Sequence, residues 1–285
     1  MALILLDVGG MKQLVHLMGV AFVCGVLNSA FAGTEAYSGK EMKQVAPAPL
    51  PECDFSWTGF YLGGNAGYGW GHADTDFSPR PDAATFFDLV PQTLEADPDG
   101  FIGGGQIGFN WQMNKWFVLG IESDFQGTDM EGDETRGPLV DITGAPLNPD
   151  SFIAAHERVQ WLGTTRGRIG ISPACRWLFY VTGGVAYGNV DYSATTNYGA
   201  PSSLFSTYPT SFTETKVGWT AGGGIEYALN NHWSVRAEYL HYDLGDEDST
   251  AHQLTGGVPQ GPPFAVHYNF DTAGEIVRGG INFKF

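Results

Sequence analysis

Between Lys216 and Gly245 the chain alternates residue by residue in a way that constrains both its secondary structure and its solvent. Val217, Trp219, Ala221, Gly223, Ile225, Tyr227 and Leu229 fall on one face, and Trp233, Val235, Ala237 and Tyr239 continue it after a short break. Between them stand Lys216, Thr220, Glu226, Ser234, Arg236 and Glu238. A period of two means strands, because successive side chains point to opposite faces of a sheet. One face therefore carries Trp and Tyr and the other carries full charges. Which of them points outward decides the fold.

The same division runs through most of the chain. Phe101, Ile107, Phe109, Trp111, Phe117, Leu119, Ile121, Phe125, Val159, Trp161, Ile169, Ile171, Trp177, Phe179, Val181, Val185, Tyr187, Val277, Ile281, Phe283 and Phe285 share the apolar face. Gln106, Asn110, Glu122, Asp124, Gln160, Arg166, Arg168, Lys216, Glu226, Arg236, Glu238, Arg278, Asn282 and Lys284 share the other. A soluble core would not accept the second set, since unpaired buried charge is prohibitive. A secreted soluble barrel such as a lipocalin, with its apolar face inward, would scatter those charges over its exterior while aromatics ring its turns. With the apolar face against lipid and the charges paired in a narrow lumen, the pattern is physically consistent.

Eight strand-like stretches carry it: 57–72, 101–112, 116–127, 158–172, 177–191, 214–229, 232–244 and 273–285. Three connections are tight, at 113–115, 173–176 and 230–231, and four are long, near 73–100, 128–157, 192–213 and 245–272. Short and long connections then lie at opposite ends of an up-and-down meander, with both termini at the tight end. An open sheet edge cannot sit in hydrocarbon, so the fold expected is all-β, an eight-stranded antiparallel up-and-down transmembrane β-barrel. Its interior is about wide enough for its own side chains. Trp111, Trp116, Trp177, Tyr227 and Trp233 flank the tight turns and would form an aromatic girdle at one membrane interface. Inner-face glycines, Gly104, Gly108, Gly170, Gly184, Gly218, Gly222 and Gly224, would leave room for long Arg and Lys side chains opposite.

The N-terminus agrees with export. From Met11, one cation at Lys12, an apolar stretch from Leu14 to Leu27 and the small-x-small end Ala30-Phe31-Ala32 make a secretory signal over 1–32. Residues 1–10 fit no part of that layout, so Met11 reads as the true start. Residues 33–56 have no apolar period and are Pro-rich from Pro47 to Pro51, a periplasmic extension before a barrel over 57–285. Cys24 falls in the signal. Cys53 precedes the first strand and Cys175 sits in the middle tight turn, so a disulfide between them would tie the extension across the barrel mouth.

The quoted stretches "WTGFYLGGNAGYGWG" (Trp57 to Gly71), "YVTGGVAYG" (Tyr180 to Gly188), "KVGWTAGGGIEYAL" (Lys216 to Leu229), "WSVRAEYLHYDLG" (Trp233 to Gly245) and "RGGINFKF" (Arg278 to Phe285) resemble the alphaproteobacterial outer-membrane immunogenic proteins. These are porin-family surface barrels related to the OmpA-like membrane domain. The resemblance covers nearly all of the chain after the signal. It implies an outer-membrane location, short periplasmic turns, long surface loops and a terminal Phe285 presented to the outer-membrane barrel assembly machinery. It implies much less about activity, which in this family is described as structural, weakly pore-forming, host-interacting or haem-binding.

Candidate sites follow from position. In the lumen, six cations (Arg166, Arg168, Lys216, Arg236, Arg278, Lys284) face four anions (Glu122, Asp124, Glu226, Glu238), and so small a space favours a salt-bridged plug over an open channel. The formal charge of -17 excludes nucleic acid as a partner, since phosphates need clustered cations. The acid excess falls in the loops: Asp74, Asp76, Asp82, Asp88, Glu95, Asp97 and Asp99, then Asp129, Glu131, Asp133, Glu134, Asp141, Asp150 and Glu157, then Asp246 to Asp248. These read as a solvated surface bridged by divalent ions to lipopolysaccharide, without calcium-loop spacing. His72, His156, His252 and His267 lie in or beside the outer loops, where a haem or metal contact is conceivable but no spacing supports one. No nucleophile is paired with a base at diagnostic spacing, so no enzyme, catalytic residue or cofactor is expected. The expected protein is a monomer in outer-membrane lipid with an envelope-integrity and surface-interaction role. The alternatives are a narrow porin and a loop-borne receptor for haem or a host surface.

Overall fold

A computed structural model describes residues 55–80, 92–140, 145, 148–198, 206–255, 258–259 and 265–285. The signal segment, the extension up to residue 54 with Cys53, and the acids Asp82, Asp88 and Asp141 lie outside the described residues. The strands are β1 (Gly59–His72), β2 (Asp74–Arg80), β3 (Gln92–Glu95), β4 (Asp99–Gln112), β5 (Phe117–Thr128), β6 (Glu131–Arg136), β7 (Phe152–Ala174), β8 (Trp177–Tyr198), β9 (Ser206–Ala228), β10 (Trp233–His252), β11 (Leu254–Thr255), β12 (Val258–Pro259) and β13 (Ala265–Lys284). Eight of them, β1, β4, β5, β7, β8, β9, β10 and β13, form an antiparallel ring in that order. It closes where β1 pairs with β13, from Tyr61↔Lys284 to His72↔Ala273. Closure is the solution lipid demands, because every backbone donor then has a partner.

Two of the tight turns share one device. Asn114 Oδ1 accepts from the Trp116 and Phe117 amides at 2.8 and 3.0 Å, and Asn230 Oδ1 accepts from the His232 and Trp233 amides at 2.9 Å each. An Asn that caps its own turn, followed by an interfacial Trp, explains why the two hairpins look alike in sequence. The third turn instead holds Cys175 at a φ of 34°, a left-handed backbone that side chains with a Cβ rarely adopt.

At the tight-turn end the expected strand limits agree with the observed ones to within two residues, as they do at the other end for β1, β4 and β5, but there β7, β8, β9, β10 and β13 run six to eight residues beyond them. β8 continues to Tyr198, β10 to His252, and β9 and β13 begin at Ser206 and Ala265. Much of what reads as long loops is therefore sheet, with β2 pairing to β13, β6 to β7 and β11 to β9 above the ring. The cause is an inversion of polarity along each strand. On β13, Val277 and Ile281 face out while Arg278 and Asn282 face in; higher up, Tyr268 and Phe270 face in while Asp271 faces out. A reading that follows one apolar face stops where that face turns acidic.

A second correction concerns β7. Val159 is 1 % exposed and packs inside, whereas Gln160 is exposed and bonds Asp191, the reverse of the expected faces. The β7–β8 register shifts between Val159 and Trp161. One extra residue at such a bulge exchanges the faces above it.

Candidate functional site

The lumen is filled in three tiers. At the tight-turn mouth, residues 55–58 do not belong to β1 but fold into the opening. Trp57 is 2 % exposed, its indole donates to Ser172 Oγ at 3.2 Å, and its ring meets Phe55 edge-on at 4.9 Å. Val118, Leu178, Tyr180 and Ala228 complete this floor. Lys284 lies here too, its Nζ donating to the Ser56 carbonyl and sitting 4.4 Å from the Phe55 ring centre. A cavity of about 10 Å³ between Trp57, Tyr61, Asn110 and Glu226 has room for one water.

Above the floor, Arg166, Arg168, Arg236 and Arg278 meet Glu122, Asp124, Glu226 and Glu238, with no side chain more than 3 % exposed. Arg166 Nη2 bonds Glu122 at 2.7 Å and Asp124 at 2.9 Å. Arg278 Nη2 bonds Asp124 at 2.7 Å and Glu238 at 2.6 Å. Arg236 Nη1 reaches Glu122 at 2.5 Å, and Arg168 Nη2 reaches Glu226 at 2.8 Å. The network is four cations against four anions, because the other two expected members lie elsewhere. Lys284 is at the floor, and Lys216 is at the outer end, bonding the Gly245 carbonyl at 3.0 Å with Glu247 at 3.8 Å. Neutral side chains satisfy the remaining carboxylate lone pairs: Ser234 and Asn282 on Glu226, Thr164 on Asp124. Sequence reasoning missed Tyr61 and Tyr180, which donate to Glu122 at 2.6 Å and Glu238 at 3.0 Å. Arg168 stacks over the Tyr180 ring at 4.1 Å. Each ring lies across from a glycine in register, Tyr61 over Gly108 and Tyr180 over Gly224, where a Cβ would collide with it. At these two positions the space left by inner glycine holds a tyrosine ring rather than the Arg or Lys expected.

The third tier is an apolar core inside the outer part of the ring, with Ile102, Leu162, Leu240 and Ile276 below and Phe77, Leu94, Tyr208, Tyr268 and Phe270 above. It is the kind of core a soluble barrel has, which the expectation of a charge-filled lumen did not include.

Outside, two belts bound the lipid-facing band. The first is the expected one: Trp111, Trp116, Trp177 and Trp233 are 41–56 % exposed, with Tyr227 against Trp177 at 4.7 Å. Phe285 faces out at 73 % exposure and meets Phe283 edge-on at 5.3 Å. The second belt was missed: Tyr68, Trp70, Phe101, Phe125, Trp161, Tyr187, Trp219 and Tyr239, with Tyr68 on Phe101 at 5.3 Å and Phe125 on Trp161 at 5.2 Å. Apart from Tyr68, which Trp70 follows on β1, each is the last outward aromatic before its strand turns polar, a signal present in the sequence. From Trp111 to Phe101 is about ten residues, roughly 33 Å of strand, which at a tilt of about 40° spans the roughly 25 Å band of such barrels.

Of the outer histidines, His72 pairs with Glu275 at 3.3 Å, His156 with Asp133 at 2.7 Å and His267 with Asp248 at 3.1 Å. Among the described residues no group of three or more His, Cys, Asp or Glu is placed to hold a metal ion.

The sequence is matched by the family model for the outer membrane protein β-barrel domain over residues 45–259. The 31 kDa outer-membrane immunogenic protein of Brucella melitensis is 38 % identical over 84 % of this chain and 88 % of its own. The 22 kDa outer membrane protein of Rhizobium leguminosarum is 30 % identical over 68 % of this chain and 67 % of its own. Among solved structures, the outer membrane protein OprG of Pseudomonas aeruginosa aligns with 82 % of this chain and 99 % of its own at 12 % identity and a TM-score of 0.44. With a closed eight-stranded ring, two aromatic belts, the family model and the Brucella and Rhizobium sequence relatives, the chain belongs to the outer-membrane β-barrel family and resides in the outer membrane.

Proposed function

We propose that this barrel is a sealed structural element of the outer membrane whose working surface is the acidic outer extension. The observation that carries the reading is the neutral network of four arginines and four carboxylates, closed below by Phe55 and Trp57 and above by an apolar core. Paired, desolvated charges with every partner on the barrel wall leave no mobile counter-ion to conduct. Outward acids such as Asp99, Asp129, Asp243 and Glu275 stand just above the outer belt, at the height of lipid headgroups. Divalent ions would bridge them to lipopolysaccharide phosphates. The Brucella relative is named as immunogenic, and an acidic sheet standing outside the membrane is the part of this chain that an antibody or a host surface would meet. Cys175 is disulfide-bonded, and a partner at Cys53 would tie the extension beneath the floor. The barrel acts as a monomer in this reading, with outward Phe285 offered to the assembly machinery.

Planar-bilayer recording on the refolded barrel tests the seal. Folding would be confirmed by heat-dependent gel mobility and the record taken before and after reduction. A silent membrane in both states is expected. Stable unitary steps would replace the sealed reading with that of a narrow porin, with the eight charges as its filter.

A further inference from the structure

Above the outer belt the ring has a seam. β9 stays paired with β8 up to Ser206 and β10 with β13 up to His252, but the outermost ladder pair between β9 and β10 among the described residues is Trp219↔Asp243. The parting begins where β10 slips register against β13 between Asp243 and Asp246, at Gly245 with a φ of 75°, a conformation that favours glycine. Beyond it the two strands are bridged by side chains: Lys216 Nζ to the Gly245 carbonyl at 3.0 Å and Thr210 Oγ1 to Ser249 Oγ at 2.7 Å. A short β9–β11 ladder closes the outer end at Thr207↔Leu254 and Ser206↔Thr255, and the stretch below it, held by tethers instead of a ladder, opens at lower cost than the rest of the ring.

A buried acid lies behind the lower tether. Glu157 is 1 % exposed; its Oε1 accepts from Thr272 Oγ1 at 2.9 Å, and its Oε2 has no hydrogen-bond partner among the described residues. Thr272 sits at the register slip across from Gly245 and shares a 2.6 Å hydrogen bond with the Tyr192 hydroxyl. Tyr192 on β8, Lys216 on β9 and Tyr242 on β10 face Glu157, while the outward Asp271 on β13 acts on it from the other side of the sheet. Lys216 is the cation among them, and it is already spent on the seam, 5.9 Å from the Tyr192 ring centre.

We propose that Glu157 and Lys216 form a proton-operated clasp on this seam. With Glu157 protonated, Lys216 ties β9 to β10 at Gly245. When Glu157 loses its proton to solvent, a buried carboxylate without a counter-ion is too costly to persist. Lys216 then turns inward to pair with it, releasing the Gly245 carbonyl and loosening the seam. Burial, with a small contribution from the charge on Asp271, pushes the Glu157 carboxyl up to about 8 against the opposing effects of Thr272 and Lys216. The clasp is therefore closed at neutral pH and opens under alkaline conditions.

Hydrogen exchange on the full refolded chain, corrected for intrinsic rates, tests this at about pH 6.5 and about pH 9. Segments 206–218 and 244–252 are expected to lose about tenfold in protection at the higher pH, the factor that one pH unit beyond the midpoint supplies, while β4 and β5 stay unchanged. Glu157→Gln should remove the pH dependence, with Glu157→Leu as a second uncharged variant should the first not fold. Lys216→Met should leave the seam loose at both pH values. Equal protection at both pH values in the parent chain, or unaltered pH dependence in the Glu157 variants, would overturn the clasp.

Discussion

An Arg278→Met barrel should be less stable than its parent by about 3–5 kcal/mol in urea titrations of the refolded protein, the usual effect of taking one partner from a buried ion pair. Arg278 donates through Nε to Glu238 Oε2 at 2.8 Å and through Nη2 to Asp124 Oδ2 at 2.7 Å. Removing it leaves the lumen with four buried carboxylates against three arginines. Adding Glu238→Gln restores neutrality and should recover part of the loss. Recovery would be incomplete, because Glu238 also serves Arg166 and Arg236, at 3.2 and 3.7 Å. Arg278→Lys keeps the charge but cannot bond two carboxylates through a planar fork, so it should fall between. A single-variant loss below about 1 kcal/mol, the range of solvent-exposed pairs, would mean that water reaches these carboxylates and that the lumen is an open path.

The ring and its inside-out polarity were legible because lipid enforces them on every strand: Trp111, Ile121, Ile169 and Val181 can only alternate with Asn110, Glu122, Arg168 and Thr182 if one face meets hydrocarbon. The lumenal arginines and carboxylates were legible for the same reason, since parity alone puts Arg166 and Glu122 on the inward face, where the β5–β7 register then sets them side by side. What parity cannot give is height. Lys216 and Lys284 share the inward face with Arg236, yet one stands at each end of the barrel and neither joins the network. Parity also fails silently at a bulge, which is why Val159 and Gln160 exchanged faces. The outer apolar core was hidden because it begins where the outward face turns acidic. Tyr268 and Phe270 read as loop once Asp271 and Asn269 are expected to face lipid. Tyr61 and Tyr180 needed the register with Gly108 and Gly224, which no single strand reveals.

The polarity inversion makes the second large prediction, and it is one that separates the two solvents on the same barrel. Val181 faces out near mid-height on β8, between the belts marked by Trp177 and Tyr187, and is 65 % exposed on the isolated chain. Val181→Arg should cost about 2–4 kcal/mol, the penalty for an arginine at the bilayer midplane on the lipid face of a barrel. Asn269 also faces out, on β13, but above the outer belt, where it bonds Asp248 at 2.9 Å. Asn269→Arg places its cation beside Asp246 and Asp248 in water, and should change stability by no more than about 0.5 kcal/mol in either direction. Both variants should be measured by urea titration in the same lipid. A soluble barrel would tolerate the two alike, because both positions would then be wet. A large loss at Val181 with none at Asn269 is what a chain obeying two opposite rules of polarity requires, with the boundary falling at the outer aromatic belt.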